Sequence, residues 1–135
     1  MSWQRSEAIR RDEIERQKAQ AILEWERAQA REFWALILAA QRGVEDRIRG
    51  DSAGMAGARS PSELAGNAYA VALLGLPELA TLARDYYRSL AKLEWGFARQ
   101  DDTRVMADIP AWSKAFRELE AAMMALSQHR KQGGD

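Results

Sequence analysis

The segment Ile109-Pro110-Ala111-Trp112-Ser113-Lys114-Ala115-Phe116-Arg117-Glu118-Leu119-Glu120-Ala121-Ala122-Met123-Met124-Ala125-Leu126 decides the fold. Its large apolar side chains fall at Ile109, Trp112, Phe116, Leu119, Met123 and Leu126, in steps of three and four residues. That spacing puts all six on one face of an α-helix. A seam of this kind suits packing against an antiparallel neighbour at a shallow angle. The pattern predicts a C-terminal helix over residues 109–131, with Arg130 and Lys131 favouring its C-terminus by charge. The stretch before it, Asp101 to Asp108, reads as a polar connection with Asp108 as the helix cap.

Working outward, residues from Pro77 to Gln100 show a second regular stripe: Leu79, Leu82, Tyr86, Leu90, Leu93 and Phe97. Before it, Ser60-Pro61-Ser62-Glu63 combines three helix-start signals: a serine cap, proline at the first helical position and glutamate three residues after the cap. An alanine-rich helix follows and reaches Gly75-Leu76-Pro77, where proline forces a kink or a new start. The reading favours a break, so residues 61–100 form a kinked or broken helix pair. Residues 50–60, with glycines at 50, 54 and 57, are expected to be a flexible loop.

From Arg5 to Arg49 there is no proline and the one glycine is Gly43, which predicts a single helix of roughly 65–70 Å. Its halves differ. Residues 1–20 carry only sparse apolar positions among interleaved charges, with pairs such as Glu7 and Arg11 in the i,i+4 order that supports an exposed helix. From residue 21 to 49 a stripe runs through Ile22, Trp25, Phe33, Leu36, Ala40, Val44 and Ile48, the expected core part. Phe33-Trp34-Ala35-Leu36-Ile37-Leu38-Ala39-Ala40 is apolar all round, as in a helix buried on every side. The first helix is longer than its partners, so residues 1–20 are expected to overhang the bundle as an exposed arm. A polar helix of that length is marginal in water unless another chain supports it.

Composition agrees with helices. The chain has 25 Ala and 13 Leu against 11 Val, Ile and Thr combined, and the first pair are helix formers. The expected fold is all-α: one domain of 135 residues, an antiparallel bundle of three to four helices with a long N-terminal helix overhanging it.

Charge and rare residues narrow the function. Lys and Arg total 20 and Asp and Glu total 20, so net charge is zero. Phosphate-backbone affinity is built from excess cations, and residues 5–49 hold ten basic and nine acidic residues with no basic stripe. Nucleic acid is therefore not the expected partner, although 16 of the 20 cations are Arg and a helical nucleic-acid binder stays as an alternative. There is no cysteine, and so no thiol nucleophile, thiolate metal site or disulfide frame. The single histidine, His129, sits in the last helical turns and reads as an exposed helix-end residue. A di-metal bundle needs Glu-x-x-His pairs, which do not occur. Glu45-Asp46 and Asp101-Asp102 read as solvated charge or caps. No catalytic residue, cofactor or metal is expected, and the chain reads as non-enzymatic. No signal peptide or spanning apolar run is visible, and a cytoplasmic location is expected.

Five tryptophans are the other unusual count. Trp25 and Trp112 fall on apolar seams and are expected in the core, whereas Trp3, Trp34 and Trp95 do not. Tryptophan is enriched at interfaces. The candidate interaction residues are Ile9 and Ile14 on the arm, Trp34 with Leu38 on the all-apolar stretch, and Trp95. The expected function is contact: a self-associating helical protein that binds a larger protein partner, as an adaptor, assembly factor or phage-type inhibitor.

One family likeness bears on this. Ala58-Arg59-Ser60-Pro61-Ser62-Glu63-Leu64, an alanine-rich helix, and Leu82-Ala83-Arg84-Asp85-Tyr86-Tyr87-Arg88 together resemble the central segment of phasins. Phasins are helical proteins that coat polyhydroxyalkanoate granules. The resemblance implies a non-enzymatic, oligomer-forming coat protein that lays amphipathic helices on a hydrophobic surface.

Overall fold

The computed structural model describes residues 2–50 and 59–133, and the side chains of residues 6–50 and 59–128. In chain order the elements are α1 (Ser2–Ile48), α2 (Pro61–Gly75), a 3-10 turn (Pro77–Leu79), α3 (Ala80–Ala98) and α4 (Asp102–Gly133). The fold is all-α, with no strand among the described residues. Residues 51–58, most of the expected loop, and the side chains of Trp3 and His129 lie outside the described set.

Each helix packs on the next in sequence: α1 on α2, α2 on α3, α3 on α4. The directions alternate. Gly43, late in α1, lies against Pro61 at the start of α2, while Gly75 at the end of α2 lies against Trp25 and Gln29. The first crossing is tight: a Cβ on Gly43 would come within 2.7 Å of the Pro61 ring. Proline there is fixed by the predicted start. Ser60 caps α2 by accepting from the Glu63 N–H at 3.3 Å, and Pro61 occupies the first turn. From α3, the Glu94 carboxylate accepts from the Ser62 N–H at 3.0 Å and from the Ser62 hydroxyl. An anion at a helix N-terminus is favourable because the first N–H groups lack helical partners.

The break at Gly75-Leu76-Pro77 is a 3-10 turn between two helices, and Leu76 and Leu79 are buried in it. The core holds Phe33, Ile37, Ala40 and Val44 of α1, Ala65, Ala68 and Ala72 of α2, Tyr86, Leu90 and Leu93 of α3, and Trp112 and Leu119 of α4. Because α2 contributes only alanines from its helical interior, its neighbours approach closely on both sides. Tyr86 is fully buried, and its hydroxyl donates to Gln41 Oε1 at 2.9 Å. Burial pushes that hydroxyl well above the usual tyrosine range; the nearby Trp112 indole works against this, and Glu45 adds to it. The Trp112 N–H itself makes no well-formed hydrogen bond.

Three sequence expectations need correction. First, α4 begins at Asp102 and not near residue 109, and Asp108 is not its cap. Gln100 takes a positive φ of 55° and ends α3. The Asp101 N–H reaches the Gly96 carbonyl at 3.0 Å and the Gln100 N–H reaches Phe97 at 3.1 Å, a Schellman close. The Asp101 carboxylate then accepts from the Arg104 N–H at 3.1 Å, so one residue ends α3 and caps α4. Val105 is buried against Gly96, and Pro110 is accommodated on an exposed side of the helix.

Second, the core part of α1 starts near Gln29 rather than at residue 21. Every residue from 6 to 25 is exposed, including Ile22 (58%) and Trp25 (51%). The reason is geometric: α2 ends at Gly75, opposite Trp25 and Gln29, so the α2–α3 pair covers nothing of α1 beyond them. Trp25 is thus not a core residue, while Trp112 is. Third, the all-apolar stretch is buried on one side only. Phe33, Ile37 and Ala40 face the core, Trp34 and Leu36 are half-buried, and Ala35, Leu38 and Ala39 are exposed.

Candidate interaction surface

The α1 and α4 helices meet through side chains. Trp34 stacks on Phe116 with ring centres 5.8 Å apart and planes 14° from parallel, and Tyr86 tilts against the other side of the contact at 6.2 Å from Phe116. On the arm side of this stack the two helices leave a cleft of about 770 Å³. Its apolar surface comes from Ala30, Trp34, Ala35 and Leu38 on one wall and Met123 and Leu126 on the other. Glu24, Arg27 and Arg31 stand along the α1 rim, and neither arginine forms an ion pair among the described residues.

The cleft exists because α2 and α3 stop short. Their connecting turn lies opposite residues 25–29 of α1, whereas α4 continues to Gly133. The last apolar positions of the α4 seam, Met123 and Leu126, are half-buried at the edge of the core and form the wall facing α1.

Of the five residues singled out from sequence, the structure brings two together: Trp34 and Leu38 share the cleft. Ile9 and Ile14 are 65% and 45% exposed on the arm. They are five residues apart and so diverge by about 140° around the helix, which gives the arm no common apolar face from these two. Ile14 is twenty residues from Trp34 along a continuous helix, roughly 30 Å away. Trp95 is at the opposite end of the bundle, where the Arg99 and Arg104 guanidinium groups lie over its ring at 4.1 and 4.2 Å. Trp95 is thus exposed (41%), with its ring engaged in cation–π stacking.

Sequence reasoning missed the α4 wall of the cleft and Leu74, the most exposed large apolar side chain at 84%. Met123 and Leu126 looked like ordinary core positions because they continue a perfect seam. The signal that sets them apart is length: a seam in α4 longer than the helices available to cover it.

Among the described residues no group of three His, Cys, Asp or Glu side chains is arranged to hold a metal ion. No described helix is long and apolar enough to cross a membrane. The fold and its surfaces define an antiparallel four-helix bundle with one open face and one overhanging helix. No protein-family model, curated protein sequence or solved structure matches the chain.

Proposed function

We propose that this protein works by contact, as a non-catalytic helical interaction protein that self-associates and takes up a helix of a larger protein partner. The observation that carries the reading is the cleft between α1 and α4, apolar along Trp34, Ala35, Leu38, Met123 and Leu126 and edged by Arg27 and Arg31, which form no ion pair among the described residues. A helix-sized groove with an apolar floor and charged rim is the usual form of a helix-in-groove site. Adaptor, assembly-factor and inhibitor roles all use such a site. The test is recovery of the partner from the native host with wild-type protein and with Leu38→Asp. Partner binding that survives a charge in the middle of the cleft contradicts the assignment.

A second reading, a coat protein of the phasin kind, draws on large apolar side chains left in water at Leu74 (84%), Met106 (69%) and Ile9 (65%). It predicts flotation with hydrophobic particles and a gain in helicity there. Failure to float removes it.

A further inference from the structure

The α1 arm presents a second surface, on a different side of the helix from the cleft. Starting at Arg11 and stepping by three and four residues gives Ile14, Lys18, Ala21, Trp25, Ala28 and Glu32. Such a series forms one stripe along an α-helix. Every member is exposed, with Ile14 at 45% and Trp25 at 51%. Trp25 leans on Gly75 at the end of α2, next to the bare Leu74, so the stripe runs from the free arm onto the flank of the bundle. Arg11, Lys18 and Glu32 form no ion pair among the described residues.

The stripe matches itself when reversed. Laid antiparallel on a second copy with Ala21 at the two-fold axis, Arg11 meets Glu32, Ile14 meets Ala28, and Lys18 meets the face of Trp25. Each of these contacts occurs twice by symmetry, and alanine at the centre allows close approach. The pairs are opposite charge, apolar on apolar, and cation on aromatic ring. A parallel, in-register pairing instead sets Arg11 on Arg11, Lys18 on Lys18 and Glu32 on Glu32 of the other copy, three like-charge contacts. An isologous contact of the antiparallel kind is the commonest form of homodimer.

We propose that α1 pairs antiparallel with α1 of a second copy along the stripe from Arg11 to Glu32. The inference rests on the self-association in the proposed function and specifies its geometry. It also resolves the overhang. A twenty-residue polar helix has little stability alone, whereas in this pairing each arm lies along the other copy's bundle. The cleft, on another side of α1, stays open.

Cysteine placement tests this directly, because the natural chain has none. Under mild oxidation, Ala21→Cys is expected to give a disulfide-linked dimer. The double variant Ile14→Cys/Ala28→Cys is expected to cross-link between chains, since within one helix these positions are roughly 21 Å apart, beyond disulfide reach. Ile14→Cys alone is expected not to cross-link. Arg11→Glu and Glu32→Arg should each weaken the dimer by about tenfold, since each removes two favourable pairs and adds two repulsive ones. The two together should restore it. Cross-linking by Ile14→Cys alone means parallel pairing and overturns the proposal. A wild-type dimer that ignores the charge reversals and fails to cross-link through Ala21→Cys overturns the pairing but leaves self-association standing. A wild-type monomer throughout the micromolar range overturns both.

Discussion

Replacing Trp34 by alanine probes the aromatic contact between α1 and α4. Complete removal of a core tryptophan costs about 3–5 kcal/mol. Trp34 is half-buried, one ring face on Phe116 and the other edge in the cleft, so about 2 kcal/mol is expected. Of this, about 1 kcal/mol belongs to the ring–ring geometry beyond simple area burial. A domain of this size has stability on the order of 10 kcal/mol, so the variant remains folded. Leu38→Ala removes a side chain already 45% exposed and should cost only about 1 kcal/mol. The assay is urea unfolding followed by far-ultraviolet circular dichroism, on Trp34→Ala, Phe116→Ala and the double variant. Phe116→Ala also loses the tilted contact with Tyr86, and the double-mutant cycle cancels that loss. A coupling energy of about 1 kcal/mol between the two substitutions is expected. Strict additivity would refute the claim that this stack holds the open face of the bundle together.

Other consequences concern the interior. Tyr86→Phe should cost about 1 kcal/mol at neutral pH, since it leaves Gln41 Oε1 without its donor. The same variant has a pH signature. Burial raises the Tyr86 hydroxyl above its ordinary value of 10.0, so the unfolded chain loses that proton first as pH rises. Stability from this group is intact below pH about 10 and falls by about 1.4 kcal/mol per unit above it. Tyr86→Phe should lack that part of the alkaline slope in urea titrations, and equal slopes would contradict the assignment. Gly43→Ala forces a Cβ to 2.7 Å from the Pro61 ring; the overpacking, about 1–3 kcal/mol, outweighs the roughly 1 kcal/mol gained in helix propensity. A higher melting temperature for this variant would show that the first crossing is loose. Ser60→Ala should cost about 1 kcal/mol by calorimetry through loss of the α2 cap.

How far the sequence reached depended on whether a signal was local. The Ser60-Pro61-Ser62-Glu63 start and the seam from Ile109 to Leu126 were legible because caps and periodicity act within a few residues. The start of α4 was not. Asp101 closes α3 and opens α4 only once Gln100 takes a positive φ, and Val105 is buried only by its approach to Gly96. Periodicity likewise placed Ile22 and Trp25 on a core stripe, but burial needs a covering element, and α2 ends opposite Trp25. For the candidate surface, the all-apolar run correctly drew attention to Trp34 and Leu38. Their partner wall, Met123 and Leu126, was hidden inside a regular seam, because which neighbour covers a seam depends on relative helix lengths. The self-matching stripe escaped notice because its apolar members are small or separated by Lys18, and its meaning lies in reversal rather than in hydrophobicity.

The central claim is that this is a contact protein whose first helix is completed by another copy. Sedimentation equilibrium of the wild-type chain across the micromolar range tests it most directly. The account predicts a reversible dimer of twice the 15.2 kDa chain mass, weakened by Arg11→Glu and recovered with Glu32→Arg. A single species at 15.2 kDa at every concentration would contradict it.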